Sequence, residues 1–248
     1  MIRKFFTIVT ILLFALMVLP LIRQMVPFQE LAPVAAAYVE NGPDELGAAN
    51  LVTSVIVTYR GLDTLGEVTV LFIATAGVGF LLRRDEEDTP ESAHAPRKAS
   101  ELLCSGSMLL FPLLMLFGVY IFLHGHLTPG GGFQGGVVIA SAFLLLMLAR
   151  VSFHLNHFVI SFVESISGFT YVVIGVLGIF LAAGFLDNRI LPLGEFGSLL
   201  SAGAIPLIYS LVGLKVGTEL TNVIDTMKMK PAHTDESASD HCPREEEV

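Results

Sequence analysis

Cysteine is nearly absent from these 248 residues: only Cys104 and Cys242 occur. They make no CxxC or comparable spacing for a metal, and they suggest no persuasive disulfide pair. Charge is scarce as well, since 15% of the residues are Asp, Glu, Lys or Arg and they sum to −9. That balance leaves no basic patch, and so no nucleic-acid partner is expected. Also missing are a Ser/His/Asp or Cys/His constellation, a phosphate loop and any pattern of cluster ligands. An independent enzyme is therefore not expected, nor a cofactor or a metal site.

What fills the chain instead is apolar sequence. Hydrophobic residues make up 53% and the mean hydropathy is +0.72, more apolar surface than one water-soluble core can hide. The fold class that follows is an all-α integral membrane protein, placed in the cell membrane as a multi-pass chain in contact with lipid. About twenty apolar residues cross the hydrocarbon core as a helix, which predicts six spans near 5–22, 62–82, 102–124, 133–149, 159–185 and 198–223. Arg3 and Lys4 precede the first of these as in a signal peptide. That run is long and lacks a small-residue cleavage site, so a retained helix is expected.

Lys and Arg gather on the cytoplasmic side of membrane proteins. With six alternating spans, Arg3, Lys4, Arg83, Arg84, Arg97, Lys98, Arg150, Lys228 and Lys230 all fall on one side, which predicts cytoplasmic N- and C-termini. The stretch "RRDEEDTPESAHAPRKAS" is charged, contains proline and lacks apolar periodicity, as a linker does. The expected organisation is a two-span module at 1–84, a charged linker at 85–100, a four-span domain at 101–228 and an acidic disordered tail at 229–248. Ahead of the second span, "LGAANLVTSVIVTYRG" is apolar but too short to cross by itself. An interfacial or re-entrant helix ending at Gly61 is expected there.

Charges inside membrane spans are costly and point to function by default. Arg60, Asp63 and Glu67 are spaced to share one helix face, with Glu67 about 8 Å inside the boundary at 1.5 Å per residue. A structural ion pair and a step in a proton or cation path both fit. Glu164 in the fifth span and Lys215 in the sixth fall at similar depths, roughly 8 to 12 Å from the inner boundary. They are placed to pair, either to lock two helices or to conduct. Glu219 and Asn222 share the Lys215 face, and snorkelling to the interface is the expected form of Glu219. Thr69, Thr75, Ser141, Tyr171 and Tyr209 lie between the two charged groups. They read as a weak polar route or as packing contacts.

Between the third and fourth spans stands "HGHLTPGGGFQGG". His124 and His126 end one helix, Pro129 forbids its continuation, and Gly130, Gly131 and Gly132 allow a tight turn at positive φ. Phe133 and Gln134 open the next helix, whose small residues permit close approach of a neighbour. Two histidines two apart point to different faces, which argues against a metal. Proton relay and an ordinary interfacial role both stay open for them.

These stretches carry a family resemblance. "GHLTPGGGFQGGVVIASAFLLL" in a four-span context resembles the B subunit of the multisubunit Mrp (Mnh) cation/proton antiporters and its counterpart in energy-converting membrane-bound hydrogenases. "NLVTSVIVTYRGLDTLGEVTVLFIATAGV" resembles the C-terminal part of the Mrp A subunit, a small separate subunit in the hydrogenase complexes. The resemblance covers nearly the whole chain apart from the linker and tail, and it implies a fusion of two neighbouring subunits. It further implies a membrane subunit of a large Na+/H+ antiporter complex, with other Mrp-type subunits as partners and, in the alternative, a hydrogenase-like redox arm. Asp63 and Glu67 match the acidic motif of the first type. His126, Pro129, Gly131, Phe133 and Gln134 match the second, for which a scaffold role is equally compatible. Nothing matches the large channel-forming subunits of that family.

Overall fold

The computed structural model describes residues 2–24, 31–82, 99–150 and 153–228. The acidic tail, Cys242 and the expected linker up to residue 98 lie outside them, as do Arg83, Arg84, Arg97, Lys98 and Lys230. All regular structure among the described residues is helical. The protein is a multi-pass membrane protein, with five helices among the described residues long and apolar enough to cross a bilayer.

The chain divides into two compact units, residues 1–38 and 39–248. The first holds helix α1 (Ile2–Gln24), which contains Pro20. Its described apolar stretch is Lys4–Pro20, shorter than the other five, where the first of the six spans was expected.

The second unit is built on α4 (Gly61–Leu81), α5 (Glu101–Leu123), α6 (Gly132–Ala149), α7 (His157–Leu181) and α8 (Ile205–Met227), preceded by the part of α2 (Pro33–Leu46) that follows Tyr38 and by a one-turn α3 (Leu51–Ser54). Local chemistry sets the helix starts. Ser100 Oγ accepts from Leu103 N at 3.2 Å, and Asn156 Oδ1 accepts from Phe158 N and Val159 N, so each satisfies helix-end donors that would otherwise be orphaned. Helix α8 opens with proline in its first turn, where no N–H is needed.

Helix α8 is the hub, touching α4, α5, α6 and α7. Lipid tails are as apolar as leucine, so membrane helices associate through tight van der Waals fit rather than through expulsion of water. Glycine supplies that fit here. A Cβ on Gly135 would stand 2.6 Å from the Gly118 carbonyl, one on Gly132 would stand 2.8 Å from the Tyr209 carbonyl, and one on Gly136 would stand 2.8 Å from the Gly213 carbonyl. Backbone therefore meets backbone on both sides of α6.

Three expectations need correction. Gly61 does not end the segment before the second span; it opens α4, after a π-helical turn at Val55–Tyr59 that breaks the rod at Arg60. Thr64 Oγ1 donates across the break to the Ile56 carbonyl at 2.8 Å. The fifth span ends at Leu181, because the chain folds back and Leu186 N donates to the Gly175 carbonyl. The sixth starts at Ile205 instead of residue 198, since Gly194, Gly197 and Gly203 take positive φ in the turns before it.

Replacing Gly136 by leucine should separate the helices at this contact. Overfilling a packed site typically costs about 1–3 kcal/mol, so the variant should melt lower in detergent. Gly66→Ala, where an added Cβ meets nothing within 4 Å, should melt like the parent.

Candidate functional site

The turn between α5 and α6 is a docking platform for the chain that precedes α4. Asn50 Nδ2 donates to the carbonyls of Gly125 and Thr128 at 2.8 and 3.0 Å, its N–H donates to the His126 carbonyl at 3.0 Å, and Thr53 Oγ1 donates to the Gly125 carbonyl at 2.6 Å. Tyr209 of α8 donates to Thr53 at 3.2 Å, and Tyr171 of α7 reaches the Gly61 carbonyl at 3.3 Å. Thus the two motif-bearing stretches are tied together at one end of the bundle. Of Gly130, Gly131 and Gly132, only Gly131 has positive φ, +158°. Pro129 and Gln134 are exposed and Phe133 packs at the edge of the core.

The two histidines differ as their spacing predicts. His124 is half-buried, its ring stacked 4.2 Å from Tyr120. His126 is fully buried, with Nε2 3.3 Å from the Ser198 carbonyl. A carbonyl only accepts, so Nε2 carries the proton and Nδ1 remains a buried acceptor without a partner. Burial holds the His126 pKa below its ordinary 6.5, which favours the neutral ring.

Beside this platform lies a cleft of about 210 Å³ lined by Glu45, Tyr59, Asp187 and Arg189 among others. Tyr59 donates to Glu45 Oε2 at 2.6 Å. Arg189 binds Asp187 through Nε at 2.9 Å and through a second nitrogen at 2.5 Å. That guanidinium holds the Asp187 carboxyl below the usual carboxylate range. Neighbouring Asn188 is fully buried and donates to the Leu46 and Ala202 carbonyls, both at 2.9 Å.

On α4 the charges divide. Arg60 and Asp63 pair at 2.5 Å, both more than half exposed. Glu67 is not drawn to Arg60. It stands exposed on the helix, with no ion pair or hydrogen bond among the described residues.

The other group is buried where α8 crosses α7. Lys215 Nζ lies 2.6 Å from Glu219 Oε1 and 3.8 Å from Glu164 Oε1. The Phe72 ring of α4 covers the ammonium at 5.1 Å, a cation–π contact. Glu219 does not snorkel: its side chain is wholly buried and Oε2 has no hydrogen-bond partner. Thr69, Thr75 and Ser141 each donate to a carbonyl four residues back in their own helix, which accounts for them as local contacts.

Several residues that organise the site escaped sequence reading. Asn50 had a visible signal, a polar cap before an apolar run. Thr53 and Asn188 had none, because their partners lie far along the chain, whereas Asp187 pairs with Arg189 two residues on.

Two family models divide the chain. One, described as a domain related to the MnhB subunit of the Na+/H+ antiporter, matches residues 103–222, and the other, MbhE, described as the E subunit of MBH, matches residues 3–100. An uncharacterized protein of Methanocaldococcus jannaschii is 33% identical over 191 residues, covering 67% of this chain and 72% of the relative. A probable A/B subunit of a K+/H+ antiporter from Rhizobium meliloti is 31% identical over 133 residues, covering 45% of this chain but only 13% of that longer protein. Among solved structures, a chain of the membrane-bound sulfane sulfur reductase, an archaeal respiratory membrane complex, superposes with a TM-score of 0.76 at 42% identity. It covers 92% of this chain and 98% of the other. A chain of the Mrp complex from a Dietzia species superposes with a TM-score of 0.71 at 25% identity, covering 94% of this chain and 26% of the larger one.

Because Asp187 is depressed by folding, its contribution is fully present above the ordinary value of 3.8 and is lost as pH falls through the lower folded value. Asp187→Asn should therefore melt below the parent at neutral pH, with the gap closing in strong acid. Asn50→Ala removes the side-chain donor to the Thr128 carbonyl and one of the two donors to the Gly125 carbonyl, which keeps Thr53 Oγ1, and at about 0.5–1.5 kcal/mol for each lost hydrogen bond it should lower the melting temperature at every pH.

Proposed function

The chain belongs to the Mrp/Mnh-type family of antiporter-related membrane subunits, and from that premise we propose that it is a non-enzymatic subunit of a multisubunit monovalent cation/proton antiporter, contributing both to ion translocation and to assembly. Residues 1–84 and 101–228 act as two subunits fused through the linker, with both termini in the cytoplasm. Asp63, Glu67, Glu164 and Lys215 are the translocation candidates. Arg60, His124, His126, Pro129, Gly131, Phe133 and Gln134 hold the mouth of the bundle.

The observation that carries this reading is Glu67. It projects from a membrane-crossing helix with no ion pair or hydrogen bond among the described residues of its own chain, its one electrostatic neighbour there being Tyr171 of α7, about 9 Å beyond the start of α4 at 1.5 Å per residue. A carboxylate facing hydrocarbon costs several kcal/mol. A neighbouring subunit that supplies a polar lining removes that cost and makes the seam a route for ions. The second reading, a subunit of a redox-driven membrane complex, is supported by the 42% identity across nearly all of the sulfane sulfur reductase chain. Both readings use the same seam.

Glu67→Gln keeps the shape and removes the charge. In membrane vesicles energised by respiration, Na+- or K+-induced proton movement should fall sharply while the complex still assembles, as judged by its size in mild detergent. Loss of the assembled complex would assign Glu67 to structure, and unchanged exchange would remove it from the route.

A further inference from the structure

The Lys215 cluster holds more negative charge than it can keep. One ammonium and two carboxyls are gathered at the crossing of α7 and α8, and the exposures are 12% for Lys215, 13% for Glu164 and 0% for Glu219. Among the described residues no other charge faces them. Helix α6 carries no charged residue, α5 has only Glu101 at its first turn, and α4 presents the Phe72 ring. An uncompensated charge in such surroundings costs several kcal/mol even after relaxation. With Lys215 ionised, one carboxyl at a time can be charged without that cost.

We propose that Glu164, Lys215 and Glu219 form a proton-binding site in which the two carboxyls hold one exchangeable proton between them, with Glu219 as the interior member. Loading forms an O–H bond on a carboxylate and consumes a hydronium; release breaks that bond and returns the proton to water. The unpartnered Oε2 of Glu219 is free to take the proton, and Ser167, one turn from Glu164 on α7 and 1% exposed, has a hydroxyl without a hydrogen-bond partner. The ammonium sits 2.6 Å from Glu219, in the position that a metal cation would need, so a proton is the ligand that fits.

The site also has a way out. Glu219, Asn222 and Asp225 follow at intervals of three residues along α8, and Asp225 Oδ2 lies 3.3 Å from Nε2 of His157 at the start of α7. His157 is 69% exposed. Polar groups thus lead one turn at a time from the buried carboxyl to the end of the bundle.

The assignment rests on the transport reading above, and one experiment separates the two. Infrared difference spectra of the intact purified complex between acid and alkaline pH should contain a carboxylic-acid carbonyl band that Glu219→Gln removes, and Na+- or K+-induced proton movement in vesicles should be lost with it. Loss of the band with normal exchange would keep the proton site and take it off the transport route. A retained band with lost exchange would overturn the proton site and leave transport standing; retention of both would overturn both. If Glu219→Gln does not assemble, Glu219→Asp, which restores a carboxyl, should return the band at a shifted pH midpoint. An unshifted midpoint, or a parent complex without the band, would overturn the proposal.

Discussion

Everything in the larger packing unit depends on how closely α6 approaches its two neighbours. Inside a bilayer the apolar side chains gain nothing by leaving lipid for one another, so the helices must be held by contact area. Glycine at 132, 135 and 136 lets the backbone of α6 lie directly on α5 and α8, and glycine at 118 and 213 answers from the other side. That contact fixes where α8 stands. Tyr209 and Lys215, both on α8, then reach the docking platform at one end and the buried cluster toward the other.

Polar groups are placed on this frame at two kinds of address. Some complete backbone hydrogen bonding where the helices break, as Asn50, Thr53 and Asn188 do through their donor groups. Others carry charge that the chain leaves incompletely answered: Glu67 on an outward face of α4, and Glu219 behind Lys215. A membrane protein that retained such groups for packing alone would do better with apolar side chains of similar size. Their placement in an apolar setting is the physical reason we propose a role for them in the movement of ions.

Much of this was legible in the residues. Apolar run length located the spans, because a bilayer imposes one length on every crossing helix, and Pro129 with its glycines marked the turn. The spacing of Glu164 and Lys215 from their helix ends placed them at one depth. The ends of spans were harder: apolar residues such as Leu199, Leu200 and Ala202 extend the hydropathy past residue 205 toward the turn, whereas glycines at positive φ decide where the helix begins. The π-helical turn at Val55–Tyr59 leaves no mark in a pattern of apolar residues. Spacing along α8 put Glu219 beside Lys215, yet whether it snorkels or stays buried depends on what α7 and α4 bring to it. Likewise the burial of His126 is set by Ser198, a residue 72 positions away.

The central claim is that this chain works as one part of a larger antiporter-type complex, with its unanswered charge completed by a neighbour. The most direct test is to solubilise native membranes in a mild detergent, isolate the tagged chain and identify what comes with it by mass spectrometry. Recovery with large antiporter-type subunits, with or without a redox arm, is the predicted result. Recovery of the chain alone, monodisperse and stable, would contradict the account.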